Sequence, residues 1–149
     1  MSDERTHRLI PAVWVILTNE NDEYFLLRRA NTGWQDGMFT VPAGHIEYME
    51  PPRKAAIREL KEEAGVTASE DDLLFSHVMF SKSSDGTDTE RVSIFFTLSQ
   101  YKGTPFLAEP EKASEAAWYH KDSLPELASA LDPVMKHISE GQTYSELYY

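Results

Sequence analysis

Between Gly44 and Val66 the chain reads GHIEYMEPPRKAAIRELKEEAGV, and this stretch limits the possible folds more than any other. Its second half has helical periodicity. With Glu59 at zero, a helix turning ~100° per residue puts Glu62 near ~300° and Glu63 near ~40°. Ala56, Ile57, Leu60 and Ala64 fall between ~60° and ~160°. One helix, about Pro52 to Ala64, is therefore expected to carry an apolar stripe and a carboxylate face beside it. Pro51 and Pro52 suit the start, where a missing N–H costs little. Glu50 would sit near the positive end of the helix dipole. Gly65 supplies the residue that can turn left-handed and end the helix. Two readings of the acidic face are open on these grounds. It is a solvated surface with pairs such as Arg58–Glu62, or it is a set of ligands.

The fixed positions narrow the choice. Gly44-x5-Glu50-x7-Arg58-Glu59-Leu60-x-Glu62-Glu63-x-Gly65-Val66 resembles the Nudix box at every fixed position. A chance match at these spacings is rarer than roughly one in a million. Pro42-Ala43-Gly44-His45 resembles the segment that usually leads into that box. The resemblance implies an α/β fold: a Nudix-type α/β/α sandwich with a mixed β-sheet between helices. It also implies one Nudix hydrolase domain over residues 1–149, with its core at about 8–141 and the box at 44–66. Tyr48-Met49 departs from the Pro-Gly pair many members carry there, which touches loop shape rather than chemistry.

Composition bounds the partners. The chain has 149 residues, 41% of them hydrophobic and 26% charged, enough for one domain with a proper core. No apolar run approaches eighteen residues, so no membrane span or membrane partner is expected. The first residues are polar and lack the apolar core of a signal peptide. There are no cysteines, which removes disulfides and thiolate chemistry and is compatible with a reducing cytoplasm, the expected location. The net charge of −11 should repel polynucleotides while leaving room for a small phosphorylated ligand held by local cations or a metal.

Strands are expected at Arg8–Asn19, buried on both faces, and at Tyr24–Arg29, joined to the first as a hairpin by the turn at 20–23. Phe39–Val41, Leu73–Lys82, Arg91–Tyr101 and Ala117–His120 read as further strands, with a turn at Ser83–Asp88. Asp122–Leu124 starts a turn that looks like a helix start with Pro125 early in it. A last helix, Pro133–Glu140, is expected with Asp132 as its cap and Gly141 as its stop. The aromatic tail Tyr144–Tyr149 is expected to pack.

Hard oxygen ligands on one face suit Mg²⁺ or Mn²⁺. The resemblance assigns Glu59, Glu62, Glu63 and the Gly44 carbonyl as metal ligands. One of those glutamates, or one from a later loop, would be the general base. Arg58 would orient the glutamates, with Glu50 or Glu62 as its partner. In Glu109–Trp118 the extra acidic ligand is expected to be Glu111, then Glu115, then Glu109. Arg28 and Arg29 are candidate phosphate clamps, of which at most one can face the site because neighbours on a strand point oppositely. Trp34, Asp36 and Phe39 complete the expected substrate-binding set, Trp34 by stacking and Phe39 with core packing as its alternative. The expected activity is metal-dependent hydrolysis of a diphosphate linkage in a nucleoside diphosphate derivative. A nucleotide-sensing module that does not hydrolyse is the alternative. A diphosphate isomerase of the same fold would want a reactive cysteine. A homodimer is left open.

Overall fold

The computed structural model describes residues 7–83 and 86–148. Strand β1 (Ile10–Leu17) runs through its centre. Val13, Val15 and Leu17 face one core, and Ala12, Trp14 and Ile16 face the other side. That two-sided burial explains the absence of polar alternation in the sequence.

Both edges of β1 are occupied as well. Strand β4 (Ala43–His45) pairs with it antiparallel and β6 (Glu90–Leu98) pairs with it parallel. Strand β5 (Leu74–Lys82) joins β6 antiparallel, and β8 (Tyr144–Leu147) joins β5 parallel. The result is a mixed five-stranded sheet in the order β4-β1-β6-β5-β8. A second, antiparallel sheet has the order β3-β2-β7, from Phe39–Thr40, Glu23–Arg29 and Ala113–His120. The expected β1–β2 hairpin is therefore not formed. With both edges of β1 taken, only a single bridge, Thr18 to Tyr24, links the two segments.

Helix α1 (Pro52–Ala64) has the expected bounds. Ala55, Ala56, Leu60 and Ala64 are fully buried and pack on β1, β4 and the second sheet. Gly65 ends the helix with φ 71°. A side chain there would also meet Phe106, since a Cβ would lie 2.1 Å from its ring. Helix α2 (Leu131–Ser139) covers the opposite face through Leu131 and Val134. Two helices thus flank the mixed sheet.

Three further expectations change. No helix starts at Asp122–Leu124, because the following backbone pairs elsewhere: Phe39 N–H donates to Glu126 O at 2.9 Å, and Ala128 N–H to Phe39 O at 2.8 Å. Asp132 lies inside the first turn of α2, and the cap position, Ala130, has no side-chain bond. Strand β7 starts at Ala113 rather than Ala117, because it pairs along the whole of β2. Of the tail, Tyr144–Leu147 packs, as strand β8 on the edge of β5. Residues 84 and 85, which belong to the turn expected at Ser83–Asp88, the first six residues and Tyr149 lie outside the described residues. Among the described residues, no helix is long and apolar enough to cross a membrane.

Candidate active site

Helix α1 places Arg58, Glu59, Glu62 and Glu63 in its last turns, and β4 lays Ala43 and Gly44 against them. Glu59 follows Ala55 by four residues and Leu60 precedes the next buried position, so the packing face draws Glu59 in. It is only 8% exposed. It fits because Gly44 has no side chain: a Cβ there would stand 2.1 Å from Glu59 Oε1. One turn on, Glu63 Oε2 accepts the Ala43 N–H at 2.9 Å. Two carboxylates are thus pressed on one short run of main chain.

Glu62 differs. Its side chain is 51% exposed. The three glutamates do not all point away from the core as the helical wheel suggested. Glu59 sits at the edge of the apolar stripe, and Glu62 lies on its far side. Among the described residues, no three His, Asp or Glu side chains come together as a group that could hold a metal ion.

Arg58 ties the acids together. Its Nε and Nη2 donate to the two oxygens of Glu50 at 2.8 and 2.9 Å, a bidentate pair. Its Nη1 donates to Glu59 Oε1 at 2.7 Å and reaches Glu62 Oε2 at 3.4 Å. Its Nη2 also donates to the His45 carbonyl at 3.1 Å. Both expected partners of Arg58 are present, and Glu50 is the closer. The Arg58 hydrogen bonds hold the Glu50 carboxyl down at about 2.

The ligand-side acids go the other way. Burial raises Glu59, against the opposing pull of Arg58, with Glu62 and Glu109 adding to the rise. Burial pushes Glu63 up to about 8, opposed by the Ala43 N–H and reinforced by the charges of Glu59 and Glu109. Carboxylates crowded in this way, with too little positive charge, fit a divalent cation. Hard oxygens in an open set suit Mg²⁺ or Mn²⁺, which keep waters and share substrate phosphate. Glu59, Glu63 and the Gly44 carbonyl are the residues that could hold it, with Glu62 at the rim.

Glu109 joins this group from the loop before β7. It lines a 150 Å³ cavity with Glu63, Arg29 and Lys112, and lies 3.5 Å from Lys112 Nζ. Glu111 and Glu115 are exposed, and neither lines that cavity. The order expected from the sequence, with Glu111 first, is thus reversed in space. Three acids in one loop look alike on paper. The turn in which Lys112 and Ala113 N–H groups both donate to Glu109 O decides which one faces in.

Of the two arginines, Arg29 faces the site. It lines this cavity and a second one of 390 Å³. Arg28 is exposed, donates to Gly37 O at 3.1 Å and lies over Phe39. Phe39 is buried against Tyr119 and lines neither cavity. Trp34 lines the larger cavity, and the Arg29 guanidinium lies 4.9 Å from its ring centroid. Asp36 lines neither of these two cavities. Its carboxylate folds the loop, accepting Thr32 Oγ1 at 2.6 Å and Gly33 N–H at 2.9 Å.

The larger cavity has features the sequence did not reveal. Its floor is one face of the mixed sheet, including Ala12, Trp14, Met79 and Ser93, and its rim joins Trp34 to Ser129 and Ala130. Gln35 fastens that rim: its Oε1 accepts the Ser129 N–H at 2.8 Å, and its amide donates to Ser129 Oγ. The buried Trp14 indole N–H has no acceptor among the described residues.

The NUDIX domain family matches residues 8–140. The chain belongs to that family, and its two helices around a mixed sheet are the Nudix α/β/α sandwich. The 8-oxo-dGTP diphosphatase of Escherichia coli is 44% identical over 52 residues, 35% of this chain and 40% of that protein. The ADP-ribose pyrophosphatase of Methanocaldococcus jannaschii is 30% identical over 136 residues, 90% of this chain and 78% of that protein. The NAD-capped RNA hydrolase NudC of Stutzerimonas stutzeri is 27% identical over 120 residues, 80% of this chain but 40% of its own length. The chain therefore spans about 40% of the first and third of these relatives. In three dimensions the MutT NUDIX hydrolase from Burkholderia pseudomallei superposes with a TM-score of 0.78 at 19% identity, covering 87% of this chain and 98% of that one. That likeness is one of fold.

Proposed function

We propose that the chain is a metal-dependent pyrophosphohydrolase that cleaves a diphosphate linkage in a nucleoside diphosphate derivative. One observation carries this reading. Glu59 and Glu63 are pressed against the Ala43–Gly44 main chain, with Glu109 facing them, and Arg29 links that cluster to a cavity of 390 Å³. That volume is within the ordinary range for a small-molecule site. Relatives named as a diphosphatase and a pyrophosphatase support the reaction class.

The residues divide the work. Glu59, Glu63 and the Gly44 carbonyl would hold Mg²⁺ or Mn²⁺, with Glu62 at the rim. A cation bound there would supply positive charge against the diphosphate and would favour ionisation of the attacking water. Arg58 positions Glu59 and anchors the loop through Glu50 and His45 O. Arg29 binds phosphate oxygen at the mouth of the cavity. Glu109, outside α1, accepts the proton of the attacking water. Water oxygen joins phosphorus, the P–O bond of the anhydride breaks, and a phosphate-bearing product leaves. The group attached to the diphosphate occupies the larger cavity and stacks on Trp34.

The partner is a small nucleotide, and the acidic surface disfavours a polynucleotide. The test is product release from a panel containing 8-oxo-dGTP, ADP-ribose, nucleotide sugars and dinucleoside polyphosphates, with and without Mg²⁺. Mg²⁺-dependent release from at least one is expected. Tight binding with no release from any would favour the sensing alternative.

A further inference from the structure

The larger cavity has a charge opposite to that of the protein. The chain carries 25 acidic residues against 14 Lys and Arg. Yet among the described residues no Asp or Glu lines this cavity, while Arg29, Lys82, Arg91 and His45 do. Two of these cations have assigned tasks. Arg29 is held over Trp34 at the mouth, and Lys82 reaches the exposed Asp88 at 3.4 Å. Arg91 is different. It is partly buried, and its side chain makes no ion pair or hydrogen bond with any described residue. Its charge is felt by His45, which it helps burial to hold down.

The strand register locates Arg91. On the sheet face that forms the floor, His45 of β4 lies opposite Ala12 of β1, and Ala12 lies opposite Ser93 of β6. Arg91 is two residues before Ser93 on the same face, opposite Ser81 of β5. The small side chains of Ala12 and Ser93 leave the floor open between His45 and Arg91. Strand β6 lies two strand spacings, ~10 Å, from β4. Arg91 pairs with Ile10 and Gly44 with Val13, three residues along β1, so these two residues are offset along the strands as well as across them, with Cα atoms roughly 14 Å apart. A nucleoside can span such a separation.

The Arg91 guanidinium lines the cavity, and its N–H donors are open to a ligand there. Arginine beside hydroxyls, here Ser81 and Ser93, is the composition that recognises phosphate. Resting on the proposed hydrolase reading, we propose that the substrate carries a further phosphomonoester on the sugar of the group held in this cavity. Arg91 binds that phosphate, with Lys82 adding charge at the rim.

The test uses pairs of compounds that differ by one phosphate: NADPH with NADH, coenzyme A with dephospho-coenzyme A, and 2′-phospho-ADP-ribose with ADP-ribose. Hydrolysis with Mg²⁺ gives a kcat/KM ratio for each pair. Calorimetry of adenosine 2′,5′-bisphosphate and of adenosine 3′,5′-bisphosphate, each against AMP, gives a binding ratio that needs no turnover. The phosphorylated member should win by roughly tenfold or more in at least one pair and in calorimetry. That ratio should fall toward one in Arg91→Met, and Arg91→Lys should recover part of it. Melting curves of both variants show that they are folded. Equal members in every pair, or a preference that survives in Arg91→Met, would overturn the assignment. A phosphate preference in binding without any hydrolysis would keep it and overturn the hydrolase reading. No preference and no hydrolysis would overturn both.

Discussion

Glu50 and Glu63 lie near the same arginine-and-glutamate cluster and are shifted in opposite directions. Glu50 is held down at about 2 from an ordinary 4.5 by Arg58. A depressed native pKa gives stability that is present above the unfolded value and is lost as pH falls through the native one. Glu63 is pushed up to about 8 by burial. A raised native pKa gives stability that is present below about 4.5 and is lost as pH rises through about 8. Melting temperatures of metal-free protein from pH 2 to 9 should therefore sag at both ends. Glu50→Gln should flatten the acid side, and Glu63→Gln the alkaline side. Mg²⁺ should restore wild-type stability on the alkaline side, since a bound cation favours the ionised carboxylate. Profiles unchanged by either substitution would remove these two groups from the account. The identity of the acids was legible in the sequence, because spacings of three and four fix their side of the helix. Their environments were not. The burial of Glu59 depends on the missing side chain at Gly44, fifteen residues away, and the choice of Glu109 over Glu111 depends on a turn.

At the scale of elements, α1 was fully legible. Two prolines, an apolar stripe and Gly65 mark its ends and its inner face without outside help. The β1–β2 connection was not, because a short polar turn between two strands looks the same whether they pair or part. What separates them is the demand of β4 and β6 for the edges of β1, and that is a property of distant segments. The division of labour within α1 can be tested. Leu60 is fully buried and lines neither of the two cavities described above. Leu60→Ala should lower stability by about 2–5 kcal/mol in denaturant titration, and its folded fraction should retain Mg²⁺-dependent turnover. A loss of specific activity in fully folded Leu60→Ala would mean that the helix is not a rigid carrier for its acids.

For the whole molecule, a net charge of −11 surrounds a cavity lined by cations. Global charge was read from composition directly, but the basic interior was not. It is assembled from β1, β4, β5 and β6 together with the loops at 33–34 and 129–130. The acidic exterior gives a sharp expectation against nucleic acid, and the NudC relatives named as NAD-capped RNA hydrolases make it worth testing. Fluorescence anisotropy with a labelled RNA or DNA oligonucleotide should show no sub-micromolar binding at physiological salt. Tight binding that weakens with added salt would contradict the small-molecule assignment.

In the proposed function, Glu63 and its neighbours serve catalysis at a cost to stability. Paired melting curves and Mg²⁺-dependent hydrolysis of the best panel substrate, for wild type and Glu63→Gln, test it most directly. Metal-free Glu63→Gln should melt at or above wild type, because a repelled, buried carboxylate is neutralised. Its turnover should fall by at least roughly a hundredfold, the scale of losing a positioned charge-stabilising or acid–base group. A Glu63→Gln protein that melts like wild type and hydrolyses at the wild-type rate would contradict the account.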